Sequence, residues 1–266
     1  MKKLLHVIFL CTALFTGYAV KAQASKIVSE QEVPAKIRGN WALPDCGNTE
    51  EGVIITRHFY LESNKDGSQL WPLTPITHQK DYLVMPIEGV KRPVRLEADG
   101  VLKIGIFDKS PKTWPARWDK LRADGHREYM GCVEIPAIVP DPLVRTMKHM
   151  DEIEAACHAS LSGTCTKLLF KIADKNHNGK ISREELKDAG MMLASLATLA
   201  PNHTASRDTI DRAVYDSMRE TDRVYNKLGE RELSYEDFKG FVAKADSAPL
   251  RAALKNVGAV VPGFKN

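Results

Sequence analysis

The chain has 266 residues, with 38 Lys and Arg against 34 Asp and Glu, a formal net charge of +4 and 43% hydrophobic residues. That is long enough for two domains and too apolar for a disordered chain. No basic cluster interleaved with aromatics marks a nucleic-acid surface, and beyond the N-terminal stretch no apolar run approaches the roughly 20 residues a spanning helix needs.

Residues 1–24 read as a secretory signal peptide. Lys2 and Lys3 form a basic start, Leu4 to Val20 is mainly apolar, and Ala22-Gln23-Ala24 offers small residues for cleavage. The expectation is a protein exported to the periplasm or secreted. Losing Lys2, Lys3 and Lys21 with the leader lowers the charge from +4 to +1, so the basic bias belongs mostly to that segment. Four cysteines remain after Cys11: Cys46, Cys132, Cys157 and Cys165. They allow three pairings. Cys46–Cys132 and Cys157–Cys165 are favoured, because each pair then lies within one expected domain. No CxxC or Cys/His spacing suggests zinc.

Residues 25–140 are expected to form a β-rich domain, an antiparallel barrel or sandwich. Gly52 to Leu61 is rich in β-branched and aromatic residues and reads as a strand, followed by a turn at Asn64-Lys65-Asp66-Gly67. Gln69 to Thr74 and Asp81 to Glu88 are shorter strands, each holding a proline suited to an edge or bulge. Asp99-Gly100 between two alternating runs is the strongest hairpin signal. Glu128 to Ile135 would be the last strand. Gly39-Asn40-Trp41 resembles the G-x-W that opens the first strand of lipocalin-like barrels. That resemblance implies Trp41 plugging one barrel end, and an apolar cavity. The plainer alternative is an ordinary core aromatic. Trp114 and Trp118 would cover a barrel end or form a recognition surface.

Three prolines in Pro136 to Pro142 close the β half, and residues 141–266 read as helical, with Asp141 as N-cap and Pro142 at the first helical position. Val144, Met147, Ile153 and Cys157 give one apolar face. A helix opened by Thr164 carries Leu169, Phe170 and Ile172. After a polar bend, another carries Leu186, Ala189, Leu193 and Leu196 at three- and four-residue spacing. A long helix follows, with Ile210, Val214, Met218, Tyr225 and Leu228 on one stripe.

The bend between those two shorter helices carries the chemistry. Asp174, Asn176 and Asn178 supply side-chain oxygens at its positions 1, 3 and 5, Gly179 permits the turn at 6, Lys180 offers its backbone carbonyl at 7, Ser182 stands at 9 and Glu185 at 12. Oxygen donors at this spacing suit Ca²⁺. The stretch resembles the EF-hand calcium loop, the family of calmodulin and parvalbumin. With only two charged ligands, affinity falls at the weak end, about 10⁻⁵ to 10⁻³ M. Ile181 to Lys187 repeats as Leu233 to Lys239, which places a second bend at Asn226 to Asp237. There Leu228 occupies position 3, Arg231 replaces the glycine, and Asp237 is a shorter carboxylate. The resemblance implies a degenerate EF-hand that has lost its ion and retains its packing, Leu233 lying against Ile181.

The fold class is thus α+β: a β-barrel or sandwich, then an all-α EF-hand pair. No G-x-S-x-G, H-E-x-x-H or phosphate-cradling glycine loop is present, so no enzyme is indicated. The function expected is an exported calcium-binding protein with a structural ion, whose β-domain binds a protein or a small apolar ligand. Two alternatives remain. One is a calcium switch that exposes a groove lined by Met191, Met192 and Met218. The other is an enzyme with a site that sequence does not announce.

Overall fold

The computed structural model describes residues 32–244, apart from positions 48, 74, 110, 158–162, 200–203, 228 and 230. The expected leader at 1–24, Leu228 and Glu230 of the second bend, and residues 245–266 lie outside the described residues.

The first half is a nine-stranded antiparallel sheet. Its strands are β1 (Gly39–Pro44), β2 (Thr49–Ile55), β3 (Phe59–Asn64), β4 (Gly67–Pro72), β5 (Thr77–His78), β6 (Leu83–Ile87), β7 (Val90–Leu96), β8 (Leu102–Ile106) and β9 (Gly125–Cys132). They lie in the order β4-β3-β2-β1-β9-β8-β7-β6-β5. The first and last strands therefore pair in the middle, Trp41 opposite Gly131. The sheet curls into a half-barrel, bringing β4 near β6. Gly52 to Leu61 is not one strand but the hairpin β2–β3. The Phe59 amide donates to the Thr56 hydroxyl and the Thr56 amide to the Phe59 carbonyl, so the chain reverses at Arg57-His58. The sequence conceals that turn because no Gly or Pro falls between Val53 and Leu61. The Asp99-Gly100 hairpin forms with Gly100 at φ +87° and the Val101 amide on the Asp99 carboxylate.

Residues alternate across this sheet with period two. Trp41, Val53, Ile55, Tyr60, Trp71, Met85, Val94, Leu102, Ile104 and Tyr129 form the concave core. Trp41 is an ordinary member of it, its indole N–H donating to the Ile37 carbonyl at 3.0 Å. The opposite face of β2, β3 and β4 presents Ile54, Phe59, Leu61 and Leu70, and the helical half packs there.

That half comprises α1 (Asp141–Lys148), α2 (Met150–Cys157), α3 (Gly163–Ala173), α4 (Arg183–Thr198), α5 (Arg207–Lys227) and α6 (Tyr235–Lys244), with a two-stranded pairing of β10 (Lys180–Ile181) and β11 (Leu233–Ser234). Pro140, not Asp141, occupies the N-cap of α1, and no side chain caps it. Leu143 and Met147 of α1, Met150, Leu196, Leu199 and Ile210 share one core with the sheet's convex face. A second helical core gathers Ile153, Leu169, Phe170, Ile181, Leu186, Leu233 and Phe238. The architecture is α+β with the β half first.

Cys46–Cys132 joins the end of β1 to the end of β9 (Cα–Cα 5.8 Å), and Cys157–Cys165 ties α2 to α3 (4.7 Å). Both are the pairings favoured above. Among the described residues no helix is long and apolar enough to cross a membrane.

Candidate metal centre

The bend from Asp174 to Glu185 joins α3 to α4. Two residues in it take positive φ, His177 at +57° and Gly179 at +78°. A Cβ on Gly179 would meet nothing within 4 Å, so backbone conformation rather than space calls for glycine there. His177 itself is exposed.

The side-chain oxygens turn into the bend and accept its amides. Asp174 Oδ1 accepts from the Asn178 amide at 3.0 Å and Oδ2 from the Gly179 amide at 2.9 Å. Asn176 Oδ1 accepts from the Asn178 amide, and Asn178 Oδ1 from the Lys180 amide. Glu185 reaches back from the first turn of α4. Its Oε1 accepts from the Lys175 and Asn176 amides at 3.0 and 3.3 Å, and its Oε2 from the Ser182 amide at 2.9 Å. Ser182 is the N-cap of α4, its hydroxyl accepting from the Glu185 amide, so Ser182 and Glu185 form a capping box. A single carboxylate thus starts the helix and spans the bend.

Asp174 and Glu185 are 6% and 7% exposed, although both are charged residue types that seldom bury unpaired. Burial pushes the Glu185 carboxyl up. The amides of Ser182, Asn176 and Lys175 and the Ser182 hydroxyl outweigh it, leaving Glu185 below the ordinary carboxylate range. Lys180 sits in β10 opposite Ser234, and its ammonium lies 3.6 Å from Glu232. All six expected ligand residues therefore lie on one bend, and the side-chain oxygens of Asp174, Asn176, Asn178 and Glu185 converge on its amides.

The donor set is hard: two carboxylates, two amide oxygens, one hydroxyl and one backbone carbonyl. Such oxygens suit Ca²⁺ or Mg²⁺ and not thiophilic metals, and two carboxylates already buried together fit a divalent cation. Among the described residues no group of three or more His, Cys, Asp or Glu side chains gathers as a metal site.

The second bend is built differently. Asp237 accepts from Ser234 through both its amide (3.1 Å) and its hydroxyl (2.7 Å), as Glu185 does with the Ser182 amide. Arg231 then lies across both Asp237 oxygens at 2.9 and 2.7 Å. The two bends meet through Ile181 and Leu233, paired in register and both fully buried.

A cleft of about 650 Å³ lies outside the half-barrel, between β2, the segment after β9 and α1. Its lining is mixed, with Ile54, Ile135, Val144 and Met147 beside Arg38, Glu134, Asp141, Lys148 and Asp151. Sequence reasoning missed it. Its walls come from three elements whose separate patterns carry no sign of one another. Trp114 and Trp118 stay at the barrel, half-buried edge-on to Phe107 and Tyr82.

No family model matches the chain, and no curated protein or solved structure matches it.

Proposed function

We propose that this is an exported calcium-binding protein of the EF-hand type, in which the ion is structural and the β half binds a ligand. The observation that carries the reading is the convergence of Asp174, Asn176, Asn178 and Glu185 around one bend, with both carboxylates buried. Asp174, Asn176, Asn178, the Lys180 carbonyl, Ser182 and Glu185 would hold the ion. Bound there, Ca²⁺ supplies positive charge and couples the end of α3 to the start of α4. These residues keep the oxygens preorganised, since amide donors already hold each side chain in place. The paired disulfides support an oxidising compartment outside the cytosol. The 650 Å³ cleft is large enough for a small ligand or a peptide side-chain cluster.

The switch reading has less behind it. Met192 is buried in α4, and its carbonyl accepts from the Thr146 and Ser195 hydroxyls, which ties it to α1. Met191 and Met218 are half-buried.

Calcium titration tests the proposal. Calorimetry is expected to find one ion per chain with Kd of about 10⁻⁵ to 10⁻³ M. At roughly twenty times Kd the ion stabilises by about 2 kcal/mol, which raises Tm by about 4–8 °C. Glu185→Gln should remove both the heat and the shift. Unchanged uptake by Glu185→Gln, or no uptake by the wild type at millimolar calcium, would overturn the site.

A further inference from the structure

The interior of the half-barrel divides along its length. Around Trp41, Trp71 and Leu73 it is apolar. Toward the other end, charged residues turn inward from four strands and a turn: Glu51 on β2, Glu62 on β3, Arg92 on β7, Arg127 on β9, and Glu88 between β6 and β7. The Arg127 guanidinium sits among three carboxylates. Its Nη1 lies 3.3 Å from Glu51, 3.4 Å from Glu88 and 3.7 Å from Glu62. Arg92 pairs with Glu88, and the Tyr129 hydroxyl donates to Glu51. Three carboxylates thus share two guanidiniums.

The deficit falls on one atom. Glu62 is 7% exposed, its Oε1 accepts from Asn64 at 3.3 Å, and its Oε2 makes no hydrogen bond, its cation being Arg127 at 3.7 Å. The neighbouring Tyr60 is 0% exposed, with the Tyr129 hydroxyl beside its own. Tyr60, Tyr129, Glu88, Arg92 and Arg127 on one side and Ile87, Ile104 and Ile106 on the other line a cavity of about 10 Å³ next to this cluster. A buried carboxylate oxygen without a hydrogen bond is rare, and this one belongs to a cluster that is one guanidinium short of balance.

We propose that the polar end of the half-barrel is a proton-binding site, in which Glu62 takes up one proton from solvent. The proton comes from hydronium or a buffer acid, becomes the Glu62 carboxyl hydrogen, and no other bond changes. Protonation leaves two carboxylates, Glu51 and Glu88, against Arg92 and Arg127. It also removes the charge from a buried oxygen that no hydrogen bond stabilises. The groups facing Glu62 are Glu51 from β2, Tyr60 and Asn64 from β3, Gln69 opposite it on β4, Glu88 from the β6–β7 turn, Arg92 from β7, and Arg127 and Tyr129 from β9.

Electrostatics agree with this geometry. Burial first, then the charge of Glu51, push the Glu62 carboxyl up to about 7, against the pull of Arg127. Burial likewise raises Tyr60 and Tyr129 well above the usual tyrosine value, so both remain hydroxyl donors. A folded-state value above the ordinary 4.5 means that the native chain binds more protons than the unfolded one between those limits. Stability from this group is therefore full below about 4.5 and is lost as pH rises through about 7.

The test is a carbon-detected NMR titration of the glutamate side-chain carboxyls in calcium-free buffer, which keeps it independent of the metal centre. The expected result is a Glu62 midpoint near 7, absent from Glu62→Gln. Thermal unfolding gives a second readout. Raising pH from 5 to 8 should lower the wild-type Tm by several degrees more than that of Glu62→Gln. A Glu62 midpoint below 5, a midpoint near 7 belonging to Glu51 or Glu88, or parallel Tm profiles would overturn the proposal. Should Glu62→Gln fail to fold, the wild-type titration decides alone.

Discussion

At Asp237 the second bend closes on a cation supplied by the chain itself. Arg231 stands at position 6, where the first bend has Gly179, and forks across both carboxylate oxygens. Such a two-point guanidinium pair matches carboxylate geometry better than a lysine would. The Arg231 hydrogen bonds first, and those from Ser234 second, hold Asp237 at about 2. The lowered value means that this pairing contributes above the ordinary carboxylate range and is lost as pH falls through about 2. Arg231→Gln should return the Asp237 midpoint toward the ordinary carboxylate value in an NMR titration. Asp237→Asn should leave the calcium stoichiometry at one. A second ion measured in the wild type would show that Arg231 does not exclude it.

The elements meet where glycine permits close approach. Ser68 of β4 and Ala205, between α4 and α5, exchange two backbone hydrogen bonds of 2.9 Å. The helical half thereby covers part of β4, the outermost strand on its side of the sheet, and fewer polar backbone groups remain open to another chain. Gly67 makes the approach possible: its φ is +142°, and a Cβ would stand 2.3 Å from the Ala205 carbonyl oxygen. Gly67→Ala therefore meets both an unfavourable backbone conformation and a collision with backbone. Its expected cost is about 3 kcal/mol, read from urea denaturation, with proteolysis between α4 and α5 increased. A change under about 0.5 kcal/mol would mean that the bridge contributes little to holding the halves together. Gly52 works similarly, lying against Pro136, Ile138 and Val139 where the chain leaves the sheet for α1.

Across the whole molecule, the two halves share a core instead of merely touching. Ile54, Phe59, Leu61 and Leu70 of the sheet are buried by Leu143, Met147, Met150, Leu196 and Ile210 of the helices. Burying such side chains contributes about 1.5–3 kcal/mol each, so neither half keeps its surface when the other unfolds. One cooperative transition is expected. All four tryptophans lie in the sheet half (Trp41, Trp71, Trp114 and Trp118), while helical circular dichroism reports chiefly on α1 to α6. The two signals should melt together, and calcium should move the tryptophan signal although the bend lies in the helical half. Separate midpoints would show that the shared core does not couple them. Cys46–Cys132 closes a loop with a separation of 86 residues, worth up to about 4.5 kcal/mol on the chain-entropy account.

Much of the candidate metal centre was legible in the sequence, because its twelve residues are contiguous and each amide–oxygen bond within it spans ten residues or fewer. The Ile181–Leu233 pairing was legible too, through the internal repeat, and so was the Asp99-Gly100 hairpin. The β2–β3 turn was not, since no Gly or Pro interrupts the run that contains it. What only the tertiary structure decided lies further apart along the chain. Glu51, Glu62, Glu88 and Arg127 belong to different parts of the sheet, and only its curl, set by β1 pairing with β9, brings them together around one guanidinium. The face on which the helices dock is likewise chosen by complementary packing between two apolar surfaces. A periodic pattern records that each surface is apolar and carries no information about which other surface will cover it.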